Sequence, residues 1–564
     1  MFKNHPKGLF TLAIANMGER FGYYTMLAVF TLYLQAKFGF SQSSTSTIFG
    51  GFLALVYFLP LLGGFIADKF WGYGKTIILG IVVMFVGYVA LSIPLKDDLG
   101  VFMMFVALVC IALGTGLFKG NLQVLVGNLY DEPKYSANRD VAFSIFYMCI
   151  NIGAFFAPSA ATAVSEYFLK KGGFTYVSEI PSMAHQLIDG TISTDALTKF
   201  QELAAQQGAT GDLQAFAHTY IDALGTSYNY GFAVACFSLV ISMLVFVLFR
   251  KTYAHANKNE KEKAKDIAEG KTVAAPIVEL TAKQTKDRMV ALGLVFAVVI
   301  FFWMAFHQNG LTMTFFARDY TASEITGLTR IGFSLLTLVP MIMAVYGLIN
   351  LFQSKKSNGK MFALGALLIG SLLTYFGYAS LDPTISIKPQ IFQQFNPFFI
   401  IILTPIVIGI FSHLNQKGKE PLAPRKIGIG MVIAAIGFVV LAFASIGLPT
   451  PDAAKAAGGV AENMLVSPNW LISTYFVLTI AELFLSPMGI SFVSRVAPPK
   501  YKGLAQGGWF AATAIGNYLV AIIGYLWGGI ELWLLWTILI VLCLLSAMFL
   551  FSQMKKLEKT TREA

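Results

Sequence analysis

Apolar runs of about twenty residues, broken by short polar stretches, recur along almost the whole chain. A helix of about twenty apolar residues crosses the hydrocarbon core of a bilayer. The pattern predicts such helices near 9–36, 46–67, 76–94, 101–129, 141–165 and 229–250, and a second set near 288–309, 331–353, 361–381, 394–415, 425–447, 468–489, 503–527 and 531–553. That makes about fourteen and an all-α integral membrane fold. Lysines and arginines gather in the loops at 68–75, 130–140, 251–287, 354–360, 416–426 and 495–502. The positive-inside rule therefore expects those loops, and both termini, to be cytoplasmic.

Three connections depart from simple up-and-down threading. Residues 166–228 read as an outer-side insertion with two helix-like stretches, the first capped within Ser193-Thr194-Asp195 and the second opened by Gly211-Asp212. Residues 251–287 read as a charged cytoplasmic linker between an N-terminal bundle, 1–250, and a C-terminal bundle, 288–564. The pair at 331–381, joined by Lys355-Lys356-Ser-Asn-Gly-Lys360, reads as a helical hairpin added to a basic twelve.

Composition agrees with a membrane protein. Of 564 residues, 56% are hydrophobic and 13% charged, where a soluble domain carries about 25% charged. The formal charge of +11 does not point to nucleic acid, because the basic residues follow the loop alternation. Lys3 and Lys7 precede a long stretch that contains Glu19 and Arg20 and lacks a convincing cleavage site, so it reads as a retained first helix rather than a signal peptide. Cys110, Cys149, Cys236 and Cys543 show no metal or redox spacing, so neither a metal nor a cofactor is expected. There is no His-Glu-x-x-His, Gly-x-Ser-x-Gly or Cys-x-x-Cys, which argues against a membrane-embedded enzyme.

The chemistry sits where apolar runs are interrupted. Asn16-Met17-Gly18-Glu19-Arg20-Phe21-Gly22-Tyr23-Tyr24 places an acid and a base inside the first helix. A charge at the bilayer centre costs roughly 2.5–3.5 kcal/mol on insertion scales, so such residues face a cavity or a partner. At 100° per residue, Asn16, Arg20, Tyr23 and Leu27 share one face, flanked by Glu19 and Tyr24. In the loop after the second helix stands Gly63-Gly64-Phe-Ile-Ala-Asp68-Lys-Phe-Trp-Gly72-Tyr-Gly74-Lys75. Gly64 and Gly72 there permit a tight turn, and Asp68 can cap a helix or pair with a base. Gly74-Lys75-Thr76 is not a phosphate loop, because Lys69 occupies the required upstream glycine position.

The Gly64–Lys75 loop resembles the signature loop of the major facilitator superfamily. Within it, Asn16 to Tyr24 resembles the E-x-x-E-R-F-x-Y-Y motif of the proton-dependent oligopeptide transporter (POT, or PTR) family. Phe146-Tyr147-Met-Cys-Ile150-Asn151-Ile-Gly153 is similar to that family's F-Y-x-x-I-N-x-G. Leu117-Phe-Lys119-Gly-Asn121, Phe395-Asn396-Pro397, Glu482-Leu-Phe-Leu-Ser486-Pro487 and Gly508-Trp509-Phe510 follow in the family's order. The resemblance covers about 10–160, 288–315 and 394–527. It implies two six-helix bundles, here with the extra hairpin, that import di- and tripeptides with protons across a cell inner membrane, as a monomer.

The resemblance also implies roles. Arg20 and Lys119 would meet the peptide carboxylate, and Asn151, Asn396 and Glu482 its amino terminus. Tyr23, Tyr24, Tyr57 and Trp509 would line the cavity, while Glu19, Lys119 and His307 would serve proton coupling. Independently, a zwitterion needs both signs of charge in one dry cavity. Arg20 and Lys119 supply one, and Glu482 the other, from the opposite half. The residues alone also allow a purely structural Glu19–Arg20 or Glu19–Lys119 pair, the lesser of the two readings. Three departures stand out: the family's first acid is Asn16, a second arginine is Leu27, and a glutamate of helix seven is His307. They keep a same-fold uniporter, or a carrier of another small solute, as the alternative. A scaffold acting through 166–228 is a more distant one.

Overall fold

The computed structural model describes the chain apart from residues 1–4, 132, 137, 210, 259–261, 263–279, 355 and 564. Most of the expected 251–287 linker, and Lys355, lie outside the described residues. The N-terminal half holds α1 (Lys7–Phe38), α2 (Gln42–Ile66), α3 (Tyr73–Ser92), α4 (Asp97–Asn128) and α5 (Arg139–Lys171). Two short helices, α6 (Ile180–Ile188) and α7 (Thr194–Gln206), precede α8 (Leu213–Leu248). In the C-terminal half, α9 (Ala282–Phe306) passes through a 3-10 turn at His307–Gly310 into α10 (Thr312–Asp319). The hairpin α11 (Leu335–Gln353) and α12 (Ser357–Ala379) comes next. Then follow α13 (Phe395–Gln416), α14 (Ala423–Ala444), α15 (Asn469–Val496), α16 (Lys502–Leu526), α17 (Leu532–Ser552) and the short α18 (Met554–Arg562).

Among the described residues, thirteen helices are long and apolar enough to cross a membrane. The first helix, α1, falls short of that apolarity because Asn16, Glu19 and Arg20 interrupt its middle. It is nonetheless 32 residues long and packs against α5 and α8 inside the N-terminal half. Gly39, at φ 64°, ends it in the left-handed conformation, with its N–H on the Gln35 carbonyl, and Ser41 caps α2. The fold is the two-bundle arrangement with a hairpin that the apolar pattern implies.

The outer insertion is shorter than the sequence suggests. Ser193 does cap α7, accepting from the Ala196 N–H. Asp212, however, caps a single 36-residue helix, α8, that runs unbroken to Leu248. The expected second insertion helix and the span expected at 229–250 are one element. Its first turns bury Phe216, Ala217, Tyr220, Ile221 and Leu224 and expose Gln214, His218, Thr219 and Asp222. That amphipathic start hides the continuation from a hydropathy reading.

The hairpin helices cross at glycines. A Cβ on Gly347 would lie 2.4 Å from the Leu367 nitrogen, and one on Gly370 2.6 Å from the Ala344 nitrogen. Small residues let membrane helices approach this closely. The hairpin touches the rest of the protein chiefly through α11 on α13. Its flanking loops are tied by a two-stranded antiparallel ribbon, β1 (Glu324–Thr326) on β2 (Thr384–Ser386), with Ile325 opposite Ile385. The two halves meet where α2 packs along α16 and α5 along α13.

Candidate functional site

The middle of α1 carries a buried ion pair. Arg20 donates through Nε and Nη2 to the two oxygens of Glu19, at 2.5 and 2.6 Å. Both side chains are almost fully buried. Adjacent helix positions point 100° apart, so the long arginine bends back to chelate its neighbour. Its guanidinium carbon stands 4.7 Å from the centre of the Tyr23 ring, and Tyr24 meets Tyr23 edge-on at 5.3 Å. Of the two pairings left open by the sequence, the structure contains Glu19–Arg20.

That leaves Lys119 without a carboxylate. Its ammonium rests 3.7 Å from the centre of the Tyr57 ring, and no ion pair to it is found among the described residues. Tyr57 also reaches toward the C-terminal half, where the His307 ring lies 6.1 Å away and stacks on Trp303 at 5.0 Å. Lys119, Tyr57 and His307 thus form a bridge from α4 through α2 to the end of α9. Among the described residues, His307 Nδ1, Trp303 Nε1 and the Asn16 Nδ2 are buried without a hydrogen-bond partner, and the Asn517 amide stands beside the His307 ring. Unpaired buried polar atoms cost about 1–3 kcal/mol each unless water or a ligand meets them.

The acid of the opposite half is Glu482, on α15. Asn396 donates to it at 2.8 Å and the Tyr147 hydroxyl at 3.3 Å, and Asn396 also reaches the Thr479 hydroxyl at 3.2 Å. Neutral donors hold this carboxylate, and no cation pairs with it among the described residues. No hydrogen bond joins Asn151 to Glu482 among the described residues. The Asn151 amide donates to the Tyr147 backbone carbonyl at 2.9 Å, one turn back, so it meets the cluster through Tyr147. Trp509 packs on Gly489, where a Cβ would lie only 1.9 Å from the indole, and meets Phe296 at 6.5 Å.

Tyr147 and Thr479 were not singled out from the sequence as site residues. The signal was present: each stands one helical turn from a residue that was, Asn151 and Glu482. Trp303 and Asn517 had no comparable signal beyond Trp303 lying one turn before His307.

The loop after α2 is built differently from the expectation. Gly64 is not at a turn; it lies within α2, and a Cβ there would meet nothing within 4 Å. The tight position is Gly63, where a Cβ would fall 2.1 Å from the Gly116 carbonyl oxygen of α4. The helix continues through a π-helical turn, Ala67–Trp71, and breaks at Gly72, at φ 73°. Asp68 accepts a hydrogen bond from the Tyr73 hydroxyl, and Lys75 is exposed.

At the end of the bundle opposite the termini, the two halves are bonded together. Gln393 donates to the Ala28 carbonyl at 3.2 Å, Thr31 to the Gly310 carbonyl at 3.3 Å, and Ser159 to Gln394 at 2.8 Å. Arg318 donates to Gln35, and Lys388 pairs with Glu166 at 3.6 Å. Beyond these, Ser193 of the insertion donates to the Ala456 carbonyl at 2.5 Å.

Comparison with known proteins agrees with this geometry. The chain is 27% identical over 538 residues to a dipeptide and tripeptide permease B of Photorhabdus asymbiotica, covering 92% of this chain and 87% of that one. It is 26% identical to the peptide transporter YePEPT of Yersinia enterocolitica, over 93% and 88% of the two chains. A crystal structure of a peptide transporter POT in complex with sulfate superposes with a TM-score of 0.67 at 23% identity, covering 99% and 96% of the chains. That structure shares the fold. The family model described as the POT family matches residues 74–275 and 361–527, more than half of the sequence. The chain therefore belongs to the POT family of transporters, and its function is carriage across a membrane rather than catalysis.

Proposed function

We propose that this protein imports di- and tripeptides across the cell inner membrane by alternating access, as a monomer with both termini cytoplasmic. One observation carries the reading. Among the described residues, no carboxylate pairs with Lys119 in one half and no cation pairs with Glu482 in the other. A zwitterionic peptide satisfies both at once, carboxylate toward Lys119 and Arg20, amino terminus toward Glu482. Binding then ties the two halves together near the membrane midplane, about which rocking halves expose a site alternately. Tyr23, Tyr24, Tyr57 and Trp509 supply apolar and aromatic wall. The names of the relatives, dipeptide and tripeptide permeases and a peptide transporter, support this substrate class.

Proton symport is the energy source of this reading, with Glu19 and His307 as carriers beside Lys119. A 100 mV potential supplies about 2.3 kcal/mol per charge moved. A second reading, facilitated diffusion on the same scaffold, is favoured by the unpartnered amide of Asn16, which does not titrate, and by Leu27. Purified protein in liposomes with a trapped pH-sensitive dye separates the two. Peptide-driven acidification is expected for the wild type and a smaller signal for His307→Gln, with peptide still equilibrating. Peptide entry without proton movement in the wild type would establish the facilitator.

A further inference from the structure

A groove of about 460 Å³ runs between the hairpin helix α11 and α13 at the end of the bundle nearer the termini. Its walls are almost wholly apolar, built by Ile349, Phe352, Pro405, Ile406 and Ile410. Gly409 opens its floor: a Cβ there would meet nothing within 4 Å. Phe352 is 82% exposed at its edge. Gln353, His413 and Leu414 close the groove at its polar end.

The rim beyond that end is basic. Lys356 follows Gln353 by three residues, and Lys417 follows Leu414 by one helical turn, with Lys360 and Lys419 close by in sequence. All four lysines are exposed and form no ion pair among the described residues. Glu420, the acid of this rim, is already engaged by Lys426 and Asn415, both at 2.5 Å. An apolar groove thus ends in positive charge that no acid pairs with among the described residues.

We propose that this groove is a binding site for one anionic phospholipid of the leaflet on the side of the termini. An acyl chain lies along α13 over Gly409, and the phosphate is held by Lys417, Lys419 and Lys356. Basic pockets between membrane helices take anionic headgroups, and apolar walls take the chain. A second copy of the protein docked across a two-fold axis would instead bring the same four lysines against one another. The lipid fills the gap between the hairpin and α13, the helix that carries Asn396. The proposal does not depend on which substrate is carried.

Native mass spectrometry of the full-length protein, titrated in neutral detergent with phosphatidylglycerol or phosphatidylcholine, tests it. The wild type is expected to retain phosphatidylglycerol selectively. Each surface lysine contributes about fivefold to anionic lipid affinity, so Lys417→Gln with Lys419→Gln should lower phosphatidylglycerol binding by roughly 25-fold and leave phosphatidylcholine unchanged. Gly409→Leu, which adds a side chain where a Cβ meets nothing within 4 Å, should weaken both lipids. Thermal unfolding of each variant without lipid controls for misfolding. Equal retention of the two lipids by the wild type, or binding indifferent to Gly409→Leu in a folded variant, would overturn the site. A dimer that Gly409→Leu dissolves would overturn the choice of occupant.

Discussion

The ammonium of Lys119 sits 3.7 Å from the centre of the Tyr57 ring. A cation over an aromatic face in a desolvated site gains about 2 kcal/mol, or roughly thirtyfold in an equilibrium constant. Tyr57 therefore helps hold in place a charge that no carboxylate pairs with among the described residues. Tyr57→Phe keeps the face and is expected to leave dipeptide affinity near wild type. Tyr57→Leu removes it and should weaken binding by up to that factor, measured by calorimetry on the purified transporter.

Glu482 gives a test of substrate polarity. Removing one partner of a desolvated charge pair costs roughly 2–5 kcal/mol. Glu482→Gln should abolish dipeptide uptake in liposomes while the protein remains folded. Acetylating the peptide's amino terminus should harm the wild type and add little further harm in the variant. Normal binding of acetylated peptide to the wild type would remove Glu482 from the proposed role.

The α2–α4 crossing sets a stability contrast between two glycines. Gly63→Ala would put a methyl 2.1 Å from the Gly116 carbonyl oxygen, whereas Gly51 faces nothing within 4 Å. Overpacking costs typically about 1–3 kcal/mol. Gly63→Ala should lower Tm in detergent, and Gly51→Ala should leave it unchanged or slightly raised.

The insertion should respond to acid. His185 of α6 lies against the Ala36 carbonyl, with its Nε2 2.9 Å away, and burial lowers its pKa below the ordinary 6.5. The Ala36 carbonyl and Asp189 oppose that shift, while His218 and Lys455 reinforce it. The docked helix favours the neutral ring, so the stability gained from docking is present above about 6.5 and is lost as pH falls through the docked value. Protection from hydrogen exchange over 180–206, corrected for the intrinsic slowing of amide exchange in acid, should fall from pH 7.5 to pH 5, and His185→Gln should flatten that dependence.

The amino-acid sequence made the architecture legible because thirteen of the helices carry apolar runs long enough to cross a membrane. It misplaced the start of α8 because Phe216, Tyr220 and Leu224 are buried on one side only, against protein rather than lipid. Lys119, Glu482 and Asn396 were legible as charge and amide where lipid tolerates neither. Their pairings were not. Nothing in the order of residues says that Arg20 folds back on Glu19, or that Asn151 spends its amide on the Tyr147 carbonyl. Both are contacts within one helix, so they turn on which rotamer each side chain adopts rather than on the order of residues. Gly63 and Gly64 are likewise indistinguishable in sequence, and only the approach of Gly116 separates them.

The bonds that join the two halves far from the termini have a consequence for apparent affinity. Each of Gln393–Ala28, Ser159–Gln394, Lys388–Glu166 and Ser193–Ala456 must open before a solute on that side reaches the cavity. A carrier resting in the closed form shows its site for only a fraction of the time, and its measured dissociation constant rises by the inverse of that fraction. Ser193 and Lys388 can thus set the concentration at which the carrier half-saturates without touching the solute. Loosening them would make the carrier look tighter-binding from that face.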